Sequence, residues 1–257
     1  MTLILQSSAA ITSPIFPTLT EIDPDLALLF RAAALTGLAQ GAEVTAFTAS
    51  GQGPQRLRLF DRRESSWLWP TYNTGAGRPS LRFGGGHHIT DFASVGSYPT
   101  VAQPATVLAA FRTDAFGYSS TTYARILGGG TTTGNSWAIR PTNITGQMLV
   151  SIGATSVTVD SALAAGSWGV IGVVFNGASS RIISPTGVIS AASLETIPLA
   201  GVRIGGNSNP GVTGTQGFIG DVSEARIYSK AMTDAELLAT WQAMGQGGIV
   251  AELGVEA

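Results

Sequence analysis

The chain has 257 residues, of which 44% are hydrophobic and 12% charged, with a formal net charge of −2. This composition supplies material for a core and offers no basic stripe to displace counterions, which argues against nucleic-acid binding. Cysteine is absent, so disulfides, thiolate metal sites and cysteine nucleophiles are excluded.

In chain order, residues 1–24 carry Pro14, Pro17 and Pro24, which preclude a regular helix and favour an extended arm. The start, "MTLILQSSAAITSPIF", lacks the positive charge of a secretory signal, and Gln6, Ser7 and Ser8 break its apolar run. No stretch approaches about 18 uninterrupted apolar residues, so no membrane insertion is expected. From Asp25 the texture changes to short apolar runs separated by Gly, Asn and Pro. "ATVLAAFRT", "YARILGGG", "SWAIRP", "GQMLVSIG", "TSVTVDS", "SWGVIGVVFNG" and "SRIISPTG" read as successive strands. Val157 and Val159 alternate with Thr158 and Asp160, the pattern of a half-buried strand, whereas the unbroken run Val170 to Phe175 predicts a central strand buried on both faces.

The strand "GFIGDVSEARIYSK" is followed by "AMTDAELLATWQAMGQGG". Thr233 and Glu236 have capping-box spacing, and Met232 is placed to staple onto Leu237. Leu237, Trp241 and Met244 share one helical face, and Gly245 stands where the helix should end. The reading is one amphipathic helix packed on a β domain, with Trp241 as core. Residues 1–24 form the arm, 25–245 the domain and 246–257 a C-terminal tail.

The run "GVRIGG…GFIGDVSEARIYSKAMTDAELLATW" resembles the C-terminal portion of laminin-G-like domains of the concanavalin A-like lectin/glucanase superfamily. Arg226, Ile227, Tyr228, Lys230, Ala231, Met232, Thr233, Glu236 and Leu237 carry the likeness. "DPDLALLFRAAALTGLAQGAEVTAFTASGQG" and "WPTYNTGAGRPSLRFGGG" are similar to the opening of bacterial and phage versions, and "GSWGVIGVVFNG" sits where such domains place a W-x-x-[IV] strand. The resemblance covers about residues 25–245 and implies an all-β, two-sheet antiparallel jelly-roll sandwich with one short C-terminal helix. Its motifs are strand-and-turn grammar, which speaks for a fold and says little about function.

Catalytic chemistry finds little support. The glucanase branch carries its carboxylates in an E-x-D-x-(x)-E run, which is absent here. The nearest acidic groupings are Asp23/Asp25, Asp61/Glu64, Asp221/Glu224 and Asp234/Glu236. The first flanks Pro24, and the last sits in a helix first turn, where the macrodipole explains it. Period-two alternation places Asp221 and Glu224 on opposite faces of their strand. No G-x-S-x-G elbow appears, and "LGGGTTTGNS" lacks the lysine of a P-loop and reads as a β-turn. We therefore expect no enzyme.

The only histidines, His87 and His88, follow Gly84-Gly85-Gly86, where the family commonly has acidic turn residues. They are expected in a hairpin between two strands. Adjacent side chains on a strand diverge, so at most one could join a metal site, and the other ligands would have to be carboxylates or water. Relatives often hold calcium in loops. Asn135 and the Asn207-Ser208-Asn209 loop are the candidates, but asparagines without a carboxylate bind calcium weakly, so no cofactor is expected.

Two functions stay open. In the first, the domain is an adhesin binding host-surface glycan, with sugars stacked on Trp67, Trp69 and Tyr72 and polar contacts from His87, Asn135, Asn207 and Asn209. The competing reading of the aromatics is that they plug one end of the sandwich. In the second, the domain is an architectural decoration of a phage tail or capsid. The expectation combines them: a virion-surface protein made without a signal peptide, homo-oligomeric, joined to other virion proteins through residues 1–24.

Overall fold

The computed structural model describes residues 25–44, 69–84, 90–92, 100–116, 124–130, 136–205 and 218–246. The strands begin with β1 (Leu26–Arg31), β2 (Thr71–Asn73), β3 (Ser80–Gly84), β4 (Thr90–Phe92), β5 (Thr100–Val101) and β6 (Ala105–Thr113). They continue with β7 (Leu127–Gly129), β8 (Trp137–Pro141), β9 (Gln147–Ile152), β10 (Thr155–Asp160) and β11 (Trp168–Phe175). β12 (Ser180–Ile183), β13 (Ile189–Ala192), β14 (Leu199–Ala200), β15 (Val202–Ile204) and β16 (Ile219–Tyr228) follow, and α1 (Asp234–Gly245) comes last.

Two large antiparallel sheets result, and β5 and β14 pair separately as a two-strand sheet. The eight-strand sheet runs β13-β12-β11-β6-β16-β3-β2 with β1 also on β16, and the six-strand sheet runs β10-β9-β8-β7-β15-β4. β16 is the seam. One edge pairs with β6 along its length, while the other meets β3 over Ile219–Val222 and β1 over Glu224–Tyr228. The two sheets enclose one core, in which Phe30, Phe83, Phe111 and Phe175 meet Trp137, Ile139, Val150 and Ile204. Trp137 is fully buried, packs edge-on to Phe175 at 6.1 Å, and donates its indole N–H to the Gly201 carbonyl. That bond satisfies the one polar atom the ring brings inside.

The expected strand patterns hold. Val159 is buried and Val157 half-buried, with Thr158 and Asp160 exposed. Every residue of Val170–Phe175 is buried, because β11 lies between β6 and β12 and α1 covers its outer face. Thr233 and Glu236 form the capping box, and Met232, Leu237 and Met244 are buried on Leu108, Val170, Val174 and Ile183. Trp241 is half-buried there and donates to the Val170 carbonyl at 2.7 Å. Helix α1 has no basic residue in its last turn. Arg78 supplies one from outside, donating to the Met244 and Gly245 carbonyls while stacking 4.5 Å over Trp168. A cation there neutralises the negative helix end and satisfies its orphan carbonyls.

The helix ends at Gly245 as expected, with Gln246 as its cap. Two expectations need correction. β3 and β4 belong to different sheets. These two flanking strands therefore do not pair as a hairpin, and His87 and His88 themselves lie outside the described residues. Gly128 and Gly129 lie in β7, paired with β8, and not in a turn, and neither position has room for a side chain. A Cβ at Gly128 would meet Arg125 Cδ at 2.8 Å, and one at Gly129 would meet the Gly201 carbonyl at 2.1 Å.

Candidate functional site

The six-strand sheet has an outer face that α1 does not reach. On β8 and β9 the core takes Trp137, Ile139, Met148, Val150 and Ile152, so Ala138, Arg140, Gln147, Leu149 and Ser151 point outward. Register aligns them in rows with β10: Ser156 opposite Ser151 opposite Ala138, and Thr158 opposite Leu149 opposite Arg140. A third row places Asp160 opposite Gln147, whose amide donates to the carboxylate at 3.1 Å. Strands lie about 4.8 Å apart and same-face residues about 6.8 Å along the chain. Arg140, Ser151, Ser156 and Thr158 thus occupy a patch of roughly 10 by 7 Å, the footprint of one or two sugar rings.

Arg140 is the unusual member. It is half-buried, and its guanidinium has neither an ion-pair nor a hydrogen-bond partner among the described residues. Burial pulls its pKa below the ordinary arginine value, with no carboxylate opposing the shift. Two buried arginines share this face further along. Arg203 alternates with the core residues Val202 and Ile204, and Arg125 lies across Gly128, donating to the Gly129 and Trp137 carbonyls at 3.3 Å. Serine and threonine hydroxyls beside an arginine fork can hydrogen-bond sugar hydroxyls and an anionic substituent.

The outer face of the eight-strand sheet carries the acidic residues, and it overturns one expectation. A β-bulge between Val222 and Glu224 inserts Ser223, so Asp221 stands opposite Arg112 while Glu224 stands opposite Ala110. Both carboxylates consequently share the outer face, where strict alternation predicts opposite faces. Asp221 is fully buried. Its oxygens accept from Asn73 at 2.6 Å, Ser80 at 3.0 Å, Arg82 at 3.0 Å and Arg112 at 2.9 and 3.0 Å. Asp114 pairs with both arginines. Glu224 is held by Arg31 at 3.2 Å and Arg226 at 2.6 Å. Sunk beneath these donors, neither carboxylate can reach a substrate.

The residues singled out by sequence fare unevenly. Tyr72 is corrected: it faces inward from β2, is 8% exposed and packs in the main core, so its ring offers no open face to a sugar. Trp69 is half-buried. Trp67, His87, Asn135, Asn207 and Asn209 lie outside the described residues. Among the described residues no three His, Asp or Glu side chains gather as a metal site. Arg140, Ser151, Ser156 and Thr158 were not singled out by sequence. Their only sequence signal is the run of hydroxyl and charged residues at the outward positions of "TSVTVD"; in "SWAIRP" and "LVSIG" the outward Arg140 and Ser151 stand beside the apolar Ala138 and Leu149.

No protein-family model matches the sequence, and no curated protein matches it. Solved structures do. Domain 4 of AbnA, a GH43 extracellular arabinanase from Geobacillus stearothermophilus, solved in complex with arabinotriose, is similar at TM-score 0.52 and 12% identity, over 85% of this chain and 98% of that one. The binding domain of botulinum neurotoxin serotype D is similar at TM-score 0.53 and 10% identity, over 86% of this chain and 52% of that one. Trypanosoma rangeli sialidase in complex with sialic acid gives TM-score 0.55 and 10% identity, over 86% of this chain but a third (33%) of the sialidase. At such identities the likeness is one of architecture: this chain has an all-β, jelly-roll, lectin-like sandwich fold with a short C-terminal helix.

Proposed function

We propose that the protein is a lectin-like glycan-binding domain displayed on a virion surface, and that it binds without cleaving. The observation that carries this reading is the outer face of β8–β10, where Arg140, Ser151, Ser156 and Thr158 form a polar patch of sugar size beyond the reach of α1. The AbnA domain, of similar fold, was solved with a bound oligosaccharide, which supports a sugar as the class of ligand. Binding without hydrolysis accords with the burial of Asp221 and Glu224 beneath arginines. Virion display rests on the resemblance of residues 25–83 to phage domains. Residues 1–24 would tether a homo-oligomer to neighbouring virion proteins.

One observation favours the purely architectural alternative: among the described residues the β8–β10 face carries no aromatic ring for stacking. Screening the full chain against an array of neutral and acidic glycans separates the two. Retention of a defined glycan is expected, and no retention at all would leave the architectural reading. Deleting residues 1–24 should leave the melting temperature nearly unchanged while impairing incorporation into the particle. Normal incorporation would remove the tether.

A further inference from the structure

We propose that the glycan recognised on the β8–β10 face bears a carboxylate, and that Arg140 is the residue that reads it. This deepens the binding function proposed above and rests on it. The argument starts from the guanidinium. It has five N–H donors in a planar fork and stays charged, so leaving it half-desolvated without an acceptor is unfavourable. Arginines elsewhere in the fold do not stand in that position. Arg82 and Arg112 are matched to Asp221 and Asp114, Arg31 and Arg226 to Glu224, Arg181 to Asp234, and Arg78 to the end of α1. Arg140 alone of these has no such match among the described residues.

The surroundings select the kind of acceptor. Leu149, directly opposite, gives the arginine stem an apolar neighbour. Ser151, Ser156 and Thr158 supply neutral hydroxyls at about one ring's distance. An anion in a planar fork next to hydroxyls matches a carboxylate on a hydroxylated ring. The nearby carboxylate, Asp160, stands two strands away in the row next to that of Arg140 and is engaged by Gln147. A neutral sugar would use the hydroxyls and leave the fork unfilled.

The test compares binding of the full chain to sialyllactose, a galacturonic-acid oligomer and lactose by calorimetry, for the natural protein, Arg140→Gln and Arg140→Lys. At least one carboxylated sugar should bind tenfold or more tighter than lactose, with affinity falling as salt is raised. Arg140→Gln should abolish that preference, and Arg140→Lys should keep part of it, having the charge without the fork. Thermal unfolding of each variant controls for folding. Equal binding of carboxylated and neutral sugars, or a preference surviving in Arg140→Gln, would overturn the proposal and leave glycan binding standing. If none of these sugars binds and the array is also blank, both fall together.

Discussion

On the outer face of the eight-strand sheet, four side chains converge on the buried carboxylate of Asp221, and two arginines close on Glu224. On the outer face of the six-strand sheet, Arg140 stands half-buried without an acceptor among the described residues. The first face has its charges matched within the chain, and the remainder of it lies under α1. Its polar groups are consumed as structure. The second retains donor capacity that the described fold does not use, and the difference locates where a ligand could gain free energy from a surface that already exists.

Breaking the matched face should produce the largest effect. Asp221→Ala leaves Arg82 and Arg112 with Asp114 as their one acidic partner among the described residues and opens a cavity beside them, and loss of one partner from a buried ionic cluster costs about 3–5 kcal/mol. Because both arginines keep some solvent contact, the lower end of that range is expected in urea unfolding. A loss under 1 kcal/mol would show that the cluster contributes little. Next comes the helix cover. Leu237 is fully buried on Leu108, Val170 and Ile183, so Leu237→Ala should cost about 2–4 kcal/mol, measured in the same way.

The bulge that gathers this cluster was missed by assuming strict alternation, although "DVSEAR" sets two polar residues, Ser223 and Glu224, side by side between the inward Val222 and Ala225. The extra residue falls where β16 exchanges β3 for β1 as neighbour. The strands themselves were legible: β6 was read residue for residue, and β11 and the capping box followed from pattern alone. Arg140 was invisible for a different reason. Its interest lies in what does not approach it, and a lack of neighbours is a property of three-dimensional packing. Tyr72 misled because an aromatic beside tryptophans on a Pro-bounded segment serves equally as core or as platform, and its side of β2 decides between them.

A smaller effect belongs to the helix start. Thr233→Ala removes a cap and should cost about 1 kcal/mol. Glu236 adds a pH signature, because hydrogen bonds from the Thr233 backbone and hydroxyl, and then Lys230, hold its pKa below the ordinary 4.5. A depressed folded pKa means that the contribution is present above 4.5 and is lost as pH falls through the lower folded value. Protection of the Thr233 amide, measured relative to its intrinsic exchange rate at each pH, should therefore fall as pH drops below 4.5, and Glu236→Gln should flatten the dependence.

The smallest expected effect sharpens the comparison most. Arg140→Gln should leave unfolding within about 0.5 kcal/mol of the natural protein, because no ion pair or hydrogen bond among the described residues is broken. A large loss would place Arg140 among the matched charges of the other sheet and end its candidacy as a ligand-reading residue.

The seam strand also bears on how the chain reaches its native state. Arg31 on β1 and Glu224 on β16 meet across 193 positions of sequence, and β16 also joins β6 and β3. Until residues near 228 are available, β1 and β3 lack their shared neighbour and β6 lacks one of its two. Closure entropy itself grows slowly, by roughly 0.6 kcal/mol per doubling of loop length, yet non-local pairing of this kind makes folding slow and leaves partly folded forms with unpaired edges. During synthesis the early strands must therefore wait, exposed, for a partner encoded near the far end of the domain.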